Sequence, residues 1–300
     1  MWQALRVVLS LGAVAALQGA TAWAEGYRPP PASAGLLKSL DFARARPVDE
    51  DYRSQFVTCD SSNIFRGVRL SGHRRCSTDP NRLKALLKLS GGAIYWESKM
   101  GLDVDGSWAA GRKQPWKGAD GNPVDSTDQC ATWLKWRSPV SHNECDDLGA
   151  QVDPDIIPYM VIPMAGLPKV SGAAAHRLSL EFRNKTKLDR GDLGVIVFGG
   201  AWTPAIIADG GPFMKIGEAS SRAFENLNQS RCRQWDAKGV HCVGPDGRLY
   251  PYKDYSIGRG VIFIAFPRSR PANLTADNAV SLACAEARAQ LGLVGGKCPP

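Results

Sequence analysis

The sequence is short of the side chains that most enzyme chemistries require. Only four of its 300 residues are histidine, and none falls in an HExxH pattern, which removes the usual zinc-protease arrangement. No Cys-x-x-Cys pair is present, and His241 beside Cys242 has no second ligand near it in sequence, so a structural zinc site has no spacing to build on. A Gly-x-Ser-x-Gly elbow is absent, and Ser220-Ser221 has no neighbouring histidine. There is no glycine-rich phosphate loop. Long apolar runs are also missing. Val7–Leu17 reaches 11 residues, against the roughly 20 that a bilayer-spanning helix needs.

What the chain does hold begins with charge and cysteine. The net charge is +8, yet the basic residues are scattered, with short clusters at Arg66–Arg75 and Arg268-Ser269-Arg270. That is a solvated basic surface and not a nucleic-acid arm. Residues 1–24 read as a signal peptide: Arg6, then the apolar run, then Ala20-Thr21-Ala22-Trp23-Ala24 as a small-x-small cleavage site. The expected location is secreted or periplasmic, with no stable membrane anchor. All eight cysteines follow this segment, and an even number in an exported chain implies a disulfide framework. Connectivity stays open in sequence. The shortest loops come from pairing neighbours: Cys59–Cys76, Cys130–Cys145, Cys232–Cys242 and Cys284–Cys298.

Residues 25–51 are rich in Pro and Ala and read as a tether. Residues 52–300 read as a single domain. Leucine spacing predicts a helix over Asp79–Leu89, and Ala276–Leu293 a C-terminal one. Strands are expected at Ala93–Val104, Ile157–Met164, Leu178–Phe182, Leu193–Phe198, Trp202–Ala208 and Val261–Phe266, and Gly217-Glu218 is expected to open a short helix. The segment 107–155 is loop-like, with four tryptophans and the Cys130/Cys145 pair. This balance predicts a mainly β fold, a closed or nearly closed barrel with short helices and disulfide-stapled loops.

Candidate chemistry lies in Asp209–Glu218. An apolar strand delivers Asp209 at its exit, and Gly210-Gly211-Pro212 sets a turn before Glu218. Two carboxyls converging on a cleft are what glycosidic-bond cleavage needs, one to protonate the leaving oxygen and one to activate water. The same residues also suit a turn and a helix start.

The segments Tyr95-Trp96-Glu97-Ser98-Lys99-Met100-Gly101-Leu102-Asp103-Val104-Asp105-Gly106, Ile157-Pro158-Tyr159-Met160-Val161-Ile162-Pro163, Gly191-Asp192 and Asp209–Ser220, in that order, resemble the fungal-type chitosanases of glycoside hydrolase family seventy-five. The resemblance implies inverting endo-hydrolysis of β-1,4-linked glucosamine polymer by an Asp and a Glu, here Asp209 and Glu218. Tyr159, Trp96, Lys99, Asp103, Asp105 and Asp192, all within these segments, are the expected substrate contacts, with Trp96 and Tyr159 equally suited to the core and Asp192 to a turn; neither cofactor nor metal is expected. The turn Asp209-Gly210-Gly211-Pro212-Phe213 is also similar to that of rare-lipoprotein-A-type lytic transglycosylases, which implies a six-stranded double-psi β-barrel and peptidoglycan as the alternative substrate. A non-catalytic exported barrel that binds glycan or protein is the third reading. The expected partner is a polysaccharide, chitosan or cell-wall glycan, taken by a monomer.

Chitosan is a polycation, so a basic protein needs an acidic cleft to hold it. Asp103, Asp105, Asp120, Asp125, Asp128, Asp146, Asp147, Asp153 and Asp155 are the pool, and screening over about 10 Å hides the distant positive surface. Trp96, Trp108, Trp116, Trp133, Trp136 and Trp202 are candidates for stacking on sugar rings. Glu218 is expected as general acid and Asp209 as base, an assignment that can be exchanged.

Overall fold

Six strands close on themselves around the centre of the molecule. The structure is a computed structural model and describes residues 27–72, 75–111, 117, 120–122, 129–141, 144–164, 177, 180–245 and 247–298. The signal-peptide reading, Trp116, Asp125 and Asp128 lie outside the described residues.

The strands are β1 (Arg46–Pro47), β2 (Ile64–Phe65), β3 (Val68–Arg69), β4 (Ala85–Lys88), β5 (Ile94–Asp103), β6 (Tyr159–Pro163), β7 (Leu193–Phe198), β8 (Ala201–Gly211), β9 (Glu218–Ser220), β10 (Gln234–Trp235), β11 (Cys242–Val243) and β12 (Ser256–Ala265). The ring runs β5–β12–β7–β8–β6–β9 and returns to β5. Two of its pairings are parallel, β6 with β8 and β5 with β9, and the others antiparallel. β4 lies on the first half of β5, and β1 lies beyond it.

β6 and β7 are apolar runs rather than alternating ones because both of their faces are covered, as are those of most of β5 and β8 and of the Val261–Ala265 half of β12. Trp96, Met160, Ile196, Ile207 and Phe263 belong to one core. Tyr95, Tyr159, Val195, Ile206 and Ile262 belong to the other, with Ala283 and Ala287 of the helix Ala279–Leu291 packed among them. All four disulfides join the neighbours expected: Cys59–Cys76, Cys130–Cys145, Cys232–Cys242 and Cys284–Cys298.

Several expectations are corrected. The fold is a mixed barrel with substantial helix rather than mainly β, with helices such as Tyr52–Ser62 and Ala279–Leu291 beside the strands. Asp79–Leu89 is not a helix: Ala85–Lys88 is a strand whose Leu86 and Leu87 pair with Trp96 and Tyr95. Leucines spaced for a helix also suit a strand covered on both sides, and pairing with β5 decides. Residues 180–186 are helical instead of forming the end of a strand. Glu218 does not open a helix. It begins β9, and the helix Ser221–Asn226 starts after Ser220, whose hydroxyl accepts from the Ala223 amide at 3.3 Å. The described part of the expected tether is packed down: Leu37 and Ala45 are buried, β1 pairs with β4, and the Tyr27 hydroxyl donates to Glu97 Oε2 at 2.6 Å.

Candidate active site

A slip in the β6–β8 pairing builds the site. Met160 sits opposite Ile207, but Val161 sits opposite Asp209, so β8 carries one extra residue at Ala208. Such a bulge re-aims the side chain that follows it. On the other edge of β6, Val161 pairs with Glu218. Asp209 and Glu218 therefore flank one residue of β6 from the two neighbouring strands. β9 pairs in turn with β5, setting Glu218 opposite Gly101 and Ser220 opposite Asp103.

That closure needs glycine. Gly217 has φ +83°, and a Cβ there would lie 2.2 Å from both the Lys99 carbonyl oxygen and Ser98 Oγ. The Glu218 side chain lies between two further glycines. A Cβ on Gly101 would meet its Cγ at 3.3 Å, and one on Gly211 would meet its Oε2 at 2.9 Å.

Asp103, Asp105 and Asp209 bring carboxylate oxygens within 4.8 Å of one another. Asp209 Oδ1 accepts from the amides of Gly210 at 2.8 Å and Trp133 at 3.0 Å. Asp105 Oδ1 accepts from the Gln129 amide at 2.7 Å. Asp103 Oδ1 accepts from the Asp105 amide at 2.9 Å and the Tyr159 hydroxyl at 3.1 Å. Burial, opposed by the two amide hydrogen bonds and helped by Glu218, raises the Asp209 carboxyl to about 6. Asp103 is pushed well above the ordinary carboxyl range by burial, then by Asp209 and Glu218. Repulsion of this kind is relieved by a shared proton or by a cation. The oxygen-only donor set is of the type that takes a hard cation such as Ca²⁺ or Mg²⁺.

Glu218 faces the opposite charge. Lys99 Nζ lies 3.6 Å from Glu218 Oε1 and also pairs with Asp79, which pairs with Lys215 at 3.7 Å. Lys99 is 1% exposed and reaches the site from inside the barrel wall.

Of the expected site residues, the structure brings together Asp209, Glu218, Asp103, Asp105, Tyr159 and Lys99. Tyr159 is fully buried, so its hydroxyl serves Asp103 and the wall instead of standing open to a ligand. Trp96 is corrected to a core residue: it is fully buried and stacks on Phe263 with ring centres 5.0 Å apart. Asp192 is corrected to a turn residue, its carboxylate accepting from the amides of Asp189 at 2.8 Å and Arg270 at 3.2 Å. Among the other tryptophans, Trp133 lends its backbone amide to Asp209, while its ring lies beneath the guanidinium groups of Arg183 and Arg190.

Sequence reasoning gave no site role to Asp79, which belongs to no motif, to Lys215 within the Asp209–Ser220 segment, or to the two glycines around Glu218. It also missed a second cluster. Asp153, Asp155 and His241 have ligand atoms within 4.8 Å of one another, although His241 looks isolated in sequence. Asp155 is saturated, accepting from Ser221 Oγ at 2.5 Å, the Cys242 amide at 2.8 Å and the Tyr252 hydroxyl at 3.1 Å. Asp153 lies 3.2 Å from His241 Nδ1 and is raised to about 6 by burial and then by Asp155.

No family model and no curated protein matches the chain.

Proposed function

We propose that the protein is an exported glycoside hydrolase that cleaves a β-1,4-linked amino-sugar polymer, chitosan first, by an inverting mechanism with two carboxyl groups. The observation that carries this reading is the pairing of Asp209 and Glu218 on either side of Val161, with unlike electrostatic surroundings. Pairs of carboxyls whose environments differ divide into acid and base. Asp209, raised to about 6 by burial, suits the acid that protonates the leaving oxygen. Glu218, next to the Lys99 ammonium, suits the base that draws a proton from the attacking water. This exchanges the roles expected from sequence. Asp105, whose carboxylate lies in the same cluster, adds the negative field that a cationic polymer requires on a protein of net charge +8.

The barrel is proposed to have double-psi topology, and residues 1–24 to be a signal peptide that directs the chain to the periplasm or outside the cell. Asp209 as a lone proton donor also supports a second reading, a lytic transglycosylase acting on peptidoglycan. Reducing-sugar release from chitosans of graded acetylation, with Asp209→Asn and Glu218→Gln beside the parent, tests the proposal. Reducing amino-sugar oligomers from the parent and none from either variant are expected. Anhydro-muropeptides from cell wall with intact chitosan would transfer the site to the second reading. Binding without cleavage of either polymer would make the barrel a glycan-binding module.

A further inference from the structure

A cavity of about 310 Å³ lies beside the second cluster, lined by Trp108, Trp136, Gln151, Asp153, Ile156 and His241 among others. That is at the lower end of ligand pockets, which run from about 300 to 1,000 Å³, and is of a size for one sugar ring rather than a polymer.

Its walls are aromatic. Trp108 and Trp136 are half-buried, and the His241 ring stacks against Trp108 with ring centres 6.3 Å apart. Its polar groups are few and of two kinds. Gln151 is 2% exposed, and its Oε1 accepts from the Thr132 amide at 3.1 Å, but its Nε2 has no hydrogen-bond partner among the described residues. A buried amide donor left unpaired costs about 1–3 kcal/mol, a cost that an acceptor on a ligand would remove. Asp153 supplies the opposite function, a carboxylate that accepts from the Asp155 amide at 2.8 Å and lies 3.2 Å from His241 Nδ1. A metal ion is the poorer occupant, because both oxygens of Asp155 are already taken by donors from Ser221, Cys242 and Tyr252.

We propose that this pocket is a second carbohydrate site, taking a single pyranose ring that bears an acetamido group. The Gln151 Nε2–H donates to the acetamide carbonyl, Asp153 accepts from a sugar hydroxyl or the acetamide N–H, and the indoles take the apolar face of the ring. The inference shares with the proposed function only the class of sugar and does not depend on cleavage.

The test is titration of the full chain carrying Glu218→Gln with N-acetylglucosamine, following the indole N–H signals of Trp108 and Trp136 by NMR. Saturable shifts of these two signals are expected. Glucosamine should bind about tenfold more weakly, the worth of one buried hydrogen bond. Gln151→Leu should weaken N-acetylglucosamine by a similar factor. Ile156→Trp, at a position 44% exposed, should block entry without disturbing the core, and it keeps the test intact if Gln151→Leu fails to fold. Indole signals that do not move, or that respond equally in Ile156→Trp, would overturn the site. Equal response to glucosamine would overturn the acetamido assignment. Failure of chitosan cleavage leaves these outcomes unaffected.

Discussion

Asp209 shows how one residue is held against its own charge. Its carboxylate accepts two backbone amides, yet burial outweighs them and the carboxyl rises to about 6 from an ordinary 3.8. Between those values the folded chain binds more protons than the unfolded chain, so this group's contribution to stability falls as pH rises. Asp209→Asn keeps an acceptor for both amides and removes the charge. It is expected to raise stability at pH 7 by on the order of 2 kcal/mol, with the gain gone near pH 3.5, as urea unfolding at the two pH values would show. The same substitution should lower kcat on chitosan by about 10³-fold, within the range for loss of a general acid. In the parent, kcat/KM should decline as pH rises through about 6, because the acid must carry its proton. A profile flat from pH 5 to 8 would remove Asp209 from that role. The identities of Asp209 and Glu218 were legible in the sequence as members of ordered motifs. Their unlike surroundings were not, because Lys99 and Trp133 reach them from 119 and 76 positions away in the chain.

At the scale of the element, the bulge in β8 and the short strand β9 do the positioning. Without the extra residue at Ala208, β8 would bring Ala208 and not Asp209 opposite Val161. Gly211 then leaves room for Glu218. A Cβ there would lie 2.9 Å from Glu218 Oε2 and 3.2 Å from Val161 Cγ1. Gly211→Ala is expected to displace the carboxylate, cutting kcat at least about tenfold for a loss of only about 1–3 kcal/mol in stability. Activity retained at parental level would show that Glu218 needs no fixed position. The stapled loop between Cys130 and Cys145 has a similar duty, since it carries the Trp133 amide that holds Asp209. Cys130→Ser with Cys145→Ser should slow cleavage as well as lower Tm. The helix expected at Glu218 failed because its cap lies two residues later, at Ser220. Pairing with β5 and β6 claims the residues before it.

For the whole molecule, the balance of buried and exposed acids sets the pH response. Burial raises Asp103, Asp153 and Asp209. Each destabilises the fold as pH climbs above the unfolded carboxyl value. Partners lower Asp147 and Asp236, and lower Asp49 against its burial, but the stability these groups add is complete above the ordinary carboxyl value and does not change between pH 5 and 7.5. The buried set should prevail, so Tm is expected to be higher at pH 5 than at pH 7.5. A Tm that rises steadily across that interval would contradict the burial of these carboxyls. The four disulfides close separations of 10 to 17 residues, each worth about 2–4 kcal/mol by restricting the unfolded chain. Reduction should therefore lower Tm sharply at either pH.

The amino-acid order alone determined what is local. Disulfide partners lie close in sequence, so of the pairings left open the one with the shortest loops is the one formed. The strands at Tyr159–Pro163 and Leu193–Phe198, and the Val261–Ala265 half of Ser256–Ala265, were legible because runs of branched and aromatic residues suit little else. The tertiary structure alone decided what depends on register. It made Ala85–Lys88 a strand, sent Trp96 to the core, and paired His241 with Asp153. It also set Asp209 and Glu218 on either side of Val161. A register is a relation between strands distant in the chain, and one extra residue changes which side chains meet.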